Sequence, residues 1–245
     1  MRIAGSSDVG MLRTENQDAY GIIPLKDGSS AICLVCDGLG GGMGGKEAAE
    51  LCVACFRERF EGGEMPSEWE LRDALSEANR RILSFSRAQE YTWMGTTLVL
   101  AAVTEEAVTV LWVGDSRAYH FREDSMLRLT RDHSYVEELV ARDNLTEGEA
   151  RFHSMRNLIT RAVGTREEVV GDMCILPWRE GDRLLLCSDG LHAMVEEKEL
   201  CEILAEDHIP AHTVHVLISA ANSHGGEDNI TALVVENKKE ISSNA

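Results

Sequence analysis

Apolar positions along the chain follow two rhythms. Residues 31 to 36 (Ala-Ile-Cys-Leu-Val-Cys) are an unbroken apolar run that stops at Asp37-Gly38, the pattern of a buried strand feeding a glycine-rich turn. From residue 46 to 60 the rhythm changes: Ala49, Leu51, Cys52, Cys55, Phe56 and Phe60 form a broad stripe. After a Gly-Gly and Pro-Ser break, Leu71, Leu75, Ala78, Ile82 and Phe85 recur at three- and four-residue steps. Both stretches predict amphipathic helices packed on something flat. Residues 97 to 103 and 107 to 113 predict strands joined by the polar Thr104-Glu105-Glu106, and 117 to 121 a third strand after Gly114-Asp115-Ser116, together a meander. Residues 183 to 187 and 231 to 235 predict later strands, with helices near 196 to 205 and 211 to 222 between them. This order predicts an α+β layered sandwich with largely antiparallel sheets. Residues 131 to 156 are charged and weakly periodic, as expected of a mobile flap over a site. The chain reads as one domain over 1–237, with the flap near 131–156 and a short polar tail at 238–245.

At 245 residues and 44% hydrophobic, the chain can bury a substantial single core. Asp plus Glu number 42 against 24 Lys plus Arg, and the resulting charge of −18 disfavours nucleic acid or an anionic membrane as partner. Much of that acidity is the solvated surface of an ordinary protein, but clustered aspartates would demand divalent cations. The N-terminus has no apolar signal region, and no stretch approaches the ~20 apolar residues of a membrane span, so a cytoplasmic protein is expected. Seven cysteines, an odd number set in apolar segments, suit a reducing compartment and predict no structural disulfides.

Two motifs mislead. Gly40-Gly41-Gly42-Met43-Gly44-Gly45 fits the dinucleotide pattern G-x-G-x-x-G between a strand and a helix. Asp37 just before it would repel a pyrophosphate, and Glu61-Gly62-Gly63-Glu64 stands where a second strand should follow. Cys33, Cys36, Cys52 and Cys55 match a four-cysteine zinc spacing. Leu34-Val35 reads as mid-strand, however, where side chains three apart point to opposite faces, so buried thiols are the expectation.

Four aspartates stand beside glycine, serine or asparagine at predicted strand ends: Asp37-Gly38, Gly114-Asp115-Ser116, Ser188-Asp189-Gly190 and Asp228-Asn229. Mg²⁺ and Mn²⁺ take carboxylate, carbonyl and water oxygens, and glycine lets a carbonyl approach the ion. Each pair alone is also an ordinary turn sequence. Their company is more specific. Arg13-Thr14-Glu15-Asn16-Gln17-Asp18, Asp37-Gly38-Leu39-Gly40-Gly41, Gly95-Thr96-Thr97, Trp112-Val113-Gly114-Asp115-Ser116-Arg117, Leu129-Thr130-Arg131-Asp132-His133-Ser134, Ile159-Thr160-Arg161-Ala162-Val163-Gly164, Ser188-Asp189-Gly190 and Glu227-Asp228-Asn229-Ile230-Thr231 occur in one order. Over about residues 5 to 235 this set resembles the metal-dependent protein phosphatase family, type 2C, in its compact bacterial form.

The resemblance implies a four-layer α-β-β-α sandwich, two largely antiparallel sheets flanked by helix pairs, with two Mn²⁺ or Mg²⁺ ions at one end. It implies that Asp37 bridges the ions, that the Gly38 carbonyl serves one and that Asp189 and Asp228 serve the other. Asp18 would join directly or through water, Asp115 would help hold a third, weaker ion, and Arg13 would clamp phosphate oxygens. The implied reaction is hydrolysis of phosphoserine and phosphothreonine by a hydroxide bridging the two ions. Phosphorylated proteins are then the substrates, a cognate serine/threonine kinase the opposing partner, and a monomer the expected state. Leu39 stands where many eukaryotic members carry histidine, so no side chain is named as general acid, and Gln17 stands where some members have glutamate. His133 and His153 are left outside the site as structural or exposed residues. The rival readings are a catalytically silent or narrowly specific phosphoprotein-binding regulator of the same fold, and a zinc-binding module.

Overall fold

The computed structural model describes residues 1–40, 44–91, 93–142, 144–150 and 153–238. Five strands, β1 (Arg2–Asp8), β7 (Arg117–Arg122), β8 (Ser125–Arg128), β10 (Arg183–Cys187) and β11 (Ile230–Glu236), form one sheet in the order β1-β11-β10-β7-β8. The second sheet runs β2 (Asp18–Pro24), β3 (Ala31–Leu39), β5 (Leu98–Val103), β6 (Ala107–Val113), β9 (Asp172–Pro177), with the short β4 (Gly95–Thr96) on the end of β3. The strand pairings described are antiparallel. Helices α1 (Gly45–Phe60) and α2 (Glu68–Ala88) cover the second sheet; α5 (Asp189–His192), α6 (Glu197–Ala205) and α7 (Pro210–Ser223) cover the first. The order of layers is α-β-β-α, as the sequence leads one to expect.

Three apolar layers lie between these four. Ala31, Cys33 and Val35 of β3 meet Leu184, Leu186, Leu233 and Val235 between the sheets. Ile32, Leu34 and Cys36 point the other way, against Ala49, Cys52, Phe56, Leu75 and Ile82 of the helices. Strand β3 is apolar at consecutive positions because both of its faces are buried. Each fully buried Leu or Ile side chain contributes about 1.5–3 kcal/mol. The same alternation decides the zinc question: Cys33 lies in one layer and Cys36, Cys52 and Cys55 in the next. Helix α2 opens on a capping box, in which Ser67 and Glu70 satisfy each other's backbone N–H groups.

The structure corrects the expected meander. Strands β5 and β6 form a hairpin in the second sheet, but β7 pairs with β10 and β8 in the first. The chain changes sheets at Gly114-Asp115-Ser116, where Gly114 takes φ 103°. A Cβ there would lie 2.7 Å from Thr97 Cγ2, so the turn needs glycine for conformation and for space. The segment expected as a flap, 131–156, is folded where described. It holds α3 (Tyr135–Ala141) and α4 (Glu147–Ala150), and its first residues are pinned by the Trp112 indole N–H on the Arg131 carbonyl and by Arg117 on Asp132. Residues 143, 151 and 152 of that segment, Met43 with the two glycines before it, and the tail from 239 onward lie outside the described residues. Among the described residues, no helix is long and apolar enough to cross a membrane.

Candidate active site

Register alone brings the aspartates together. Asp18 opens β2 and stands directly opposite Asp37 in β3. Leu98 at the start of β5 faces Val113 at the end of β6, just before the Asp115 turn. Cys187, the last residue of β10, faces Arg117 at the start of β7 and Ala232 in β11, so the loops bearing Asp115, Asp189 and Asp228 leave from the same end of the sandwich. Gly38 is next to Asp37 in this cradle; a Cβ on it would come 2.2 Å from the Gly45 carbonyl oxygen and 2.6 Å from that of Gln17. Arg13 sits at the rim on the loop after β1, its Nη2 donating to Asp228 Oδ2 at 2.8 Å. All seven residues singled out from the sequence therefore converge on one end.

Asp37 and Asp189 share a side-chain hydrogen bond, and the rest of the cluster sets like charge against like charge. Two like charges directly opposite on a sheet are destabilising. Asp18 Oδ2 accepts hydrogen bonds from Ser188 Oγ at 2.7 Å and Thr231 Oγ1 at 2.6 Å, while its Oδ1 is buried without a hydrogen-bond partner. Asp115 Oδ1 and Asp189 Oδ1 are likewise buried and unpartnered. Burial lifts the Asp18 carboxyl to about 7, partly offset by the two hydroxyl bonds and reinforced by Asp189 and Asp228. Asp37 is raised well above the ordinary carboxylate range by burial and then by Asp18, Asp189 and Asp115. Asp115 is raised by burial and by Asp189, and Asp189 by burial and by Asp228. A cluster that strains against its own ionisation, with buried oxygens lacking donors, fits the donor set of a hard divalent cation. Among the described residues no group of three or more His, Cys, Asp or Glu is arranged to hold a metal ion by itself. Backbone carbonyls and water would have to complete the coordination, which Mg²⁺ in particular favours.

A ring of neutral groups fixes the acids, and most of it escapes the sequence reading. Asn229 is 5% exposed; its side chain accepts from Gln17 N–H and donates to the Val9 and Glu15 carbonyls, so it ties the Arg13 loop to the Asp228 loop. Asn16 donates to Ser7 Oγ, which meets Thr231 Oγ1 at 2.7 Å. His192, pushed down to about 3 by burial and by Arg117, is neutral and donates its Nε2–H to the Asp115 carbonyl. The hint in the sequence was its place three residues after Asp189, one helical turn on. His133 is buried, stacks on Trp112 and accepts the Gly114 N–H at Nδ1, which makes it structural; His153 lies against Tyr135 in the flap segment.

Comparison with known proteins agrees with this geometry. The profile of the protein phosphatase 2C family matches residues 13–229. The serine/threonine phosphatase stp of Listeria innocua is 37% identical over 237 residues, covering 94% of this chain and 93% of the relative. A solved bacterial serine phosphatase superposes with a TM-score of 0.91 at 31% identity, covering 98% of this chain and 99% of the other. The catalytic domain of the serine/threonine protein phosphatase PstP, solved in complex with two manganese ions, gives a TM-score of 0.83 at 30% identity over 96% of this chain and 97% of that one. With the match spanning nearly the whole sandwich and every loop of the acid cluster, the chain belongs to the protein phosphatase 2C family.

Proposed function

We propose that this protein hydrolyses phosphoserine and phosphothreonine in other proteins, using two Mn²⁺ or Mg²⁺ ions held by its aspartate cluster. The observation that carries the reading is the facing pair Asp18 and Asp37, set in register inside a cluster of buried, unpartnered carboxylate oxygens. Asp37, central to the cluster, would bridge the ions; the Gly38 carbonyl would serve one, Asp189 and Asp228 the other, with Asp18 directly or through water. Asp115 would help hold a third, weaker ion. The manganese found in PstP supports the choice of metal.

When bound, the ions supply an activated water nucleophile at neutral pH and counter the charge of the phosphoryl group. The remaining work falls to side chains. Asp18 is held at Oδ2 by two hydroxyls, which fixes the carboxylate and leaves its buried Oδ1 free for an ion. Arg13, half exposed and hinged on Asp228, is placed to receive phosphate oxygens with the rest of its guanidinium fork. The His133 N–H on the Gly114 carbonyl ties the start of the 131–156 segment to the turn that carries Asp115, and this segment would contact the protein substrate. A serine/threonine kinase acting on the same sites in the cytoplasm is the partner this activity opposes.

The test is turnover of a phosphothreonine peptide by purified protein after chelation and after Mn²⁺ or Mg²⁺ is restored. Activity should vanish with chelator, return with metal and be absent from Asp37→Ala at every metal concentration. Turnover by Asp37→Ala near the native rate would refute the ligand assignment. A native protein that binds metal but never turns over peptide would instead favour a silent or narrowly specific phosphoprotein-binding regulator.

A further inference from the structure

Thr97 stands opposite Asp37 in the register that β3 keeps with β4 and β5, yet it belongs to neither strand. In an antiparallel pair, residues that face each other across a hydrogen-bonded position exchange both N–H to carbonyl bonds. Here only one is made: Thr97 N–H donates to the Asp37 carbonyl at 2.9 Å. The Asp37 N–H goes instead to the Thr97 hydroxyl, also at 2.9 Å. The Asp37 carbonyl takes a second bond from Thr96 Oγ1. Both backbone groups of Asp37 are therefore set by two threonines.

The same Thr97 hydroxyl lies 2.7 Å from Ser116 Oγ, next to Asp115. Its methyl faces Gly114, on the other side of Asp115. Thr97 and Ser116 are 0% and 1% exposed, so no water replaces either contact. One side chain thus touches the backbone under Asp37 and both residues flanking Asp115.

We propose that Thr97 is a positioning residue of the metal centre: through its hydroxyl and that of Ser116 it fixes the separation of the Asp37 and Asp115 carboxylates. The proposal rests on the metal reading of the acid cluster. Removing either hydroxyl leaves a buried polar group without its partner and releases the Asp115 turn relative to Asp37. Outer-shell partners of metal ligands are worth roughly 10–100-fold in metal affinity.

The experiment is calorimetric titration of Mn²⁺ into the chelator-treated full chain, for the native protein, Thr97→Val, Thr97→Ser and Ser116→Ala, with a metal-free thermal melt of each. Thr97→Val should weaken Mn²⁺ binding by roughly 10–100-fold, Ser116→Ala should weaken it in the same direction, and Thr97→Ser should bind like the native protein. Rescue by serine separates the hydroxyl from mere packing, since serine lacks the methyl that meets Gly114. A folded Thr97→Val with native Mn²⁺ affinity would overturn the proposal, as would a Thr97→Ser as weak as the valine variant. Should Thr97→Val melt early, Ser116→Ala carries the test, and native affinity there refutes the link to Asp115. A native chain that takes up no Mn²⁺ would sink the metal reading itself, and the proposal with it.

Discussion

Asp37 and its neighbours give the metal-free protein an inverted response to pH. A carboxyl raised on folding keeps its proton in the native state after the unfolded chain has released it. The stability it contributes is full below the ordinary carboxyl range and is lost as pH rises through the folded value. For Asp18 that value is about 7, and Asp37 and Asp115 are also raised well above the ordinary carboxyl range. Asp132 and Asp182, lowered overall as arginines offset their burial, act oppositely only in more acid solution, and His192 and His133, lowered by burial, act oppositely up to the ordinary histidine value of 6.5. Above that value only the raised carboxyls act, so the chelated protein should melt at a higher temperature near pH 6.5 than near about pH 8, and added Mn²⁺ should flatten the difference. Asp37→Asn should raise the metal-free melting temperature at pH 8 by an amount on the order of 2–4 °C, the response of a domain this size to about 1 kcal/mol. A melting temperature that climbs with pH in the chelated protein would show that the carboxyls are not crowded as described. Asp37, Asp115, Asp189 and Asp228 were readable from the sequence because each stands beside a glycine, serine or asparagine at a predicted strand end, whereas Asp18, between Gln17 and Ala19, came only with the family resemblance. Thr97, Ser188, Asn229 and Thr231 stood in the same motifs with no role assigned, since a neutral residue that orients a ligand leaves no charge pattern; their roles emerge only from the register.

Among elements, legibility follows position in the sheet. The six strands found from sequence, β3, β5, β6, β7, β10 and β11, are interior, where two buried faces make an apolar run. The four full-length strands missed, β1, β2, β8 and β9, are the edges of the two sheets. Edge strands are half-solvated, and they tolerate Gly5 in β1 and the prolines that end β2 and β9. The hop of β7 to the other sheet was hidden for a related reason, because hydrophobic alternation records burial but not which sheet supplies it. Helix α2 shows how an element reaches the site from a distance. Asn79, 1% exposed, accepts the Gly164 N–H and donates to the Arg166 and Glu167 carbonyls, and Val163 in that turn pairs with Thr96 beside Asp37. Asn79→Ala leaves the buried Gly164 N–H without its acceptor and should cost about 1–3 kcal/mol in denaturant unfolding. An unfolding midpoint within error of the native one would mean that water or a shifted turn satisfies it.

On the scale of the molecule, the sandwich gathers loops from both sheets at one end and leaves there an excess of negative charge that packing alone would disfavour. Chain order shows this in the sequence itself, because acidic turns stand at the ends of β3, β6 and β10 and just before β11. The function and the chemistry of the fold meet in one claim: that this end of the sandwich holds two divalent ions between Asp37 and the carboxylates of Asp18, Asp189 and Asp228. Anomalous diffraction at the manganese edge, from crystals of the native chain grown with Mn²⁺, tests it most directly. The account predicts two strong peaks flanking Asp37, with any weaker third one beside Asp115. Peaks confined to surface carboxylates, or none at Asp37, would contradict it.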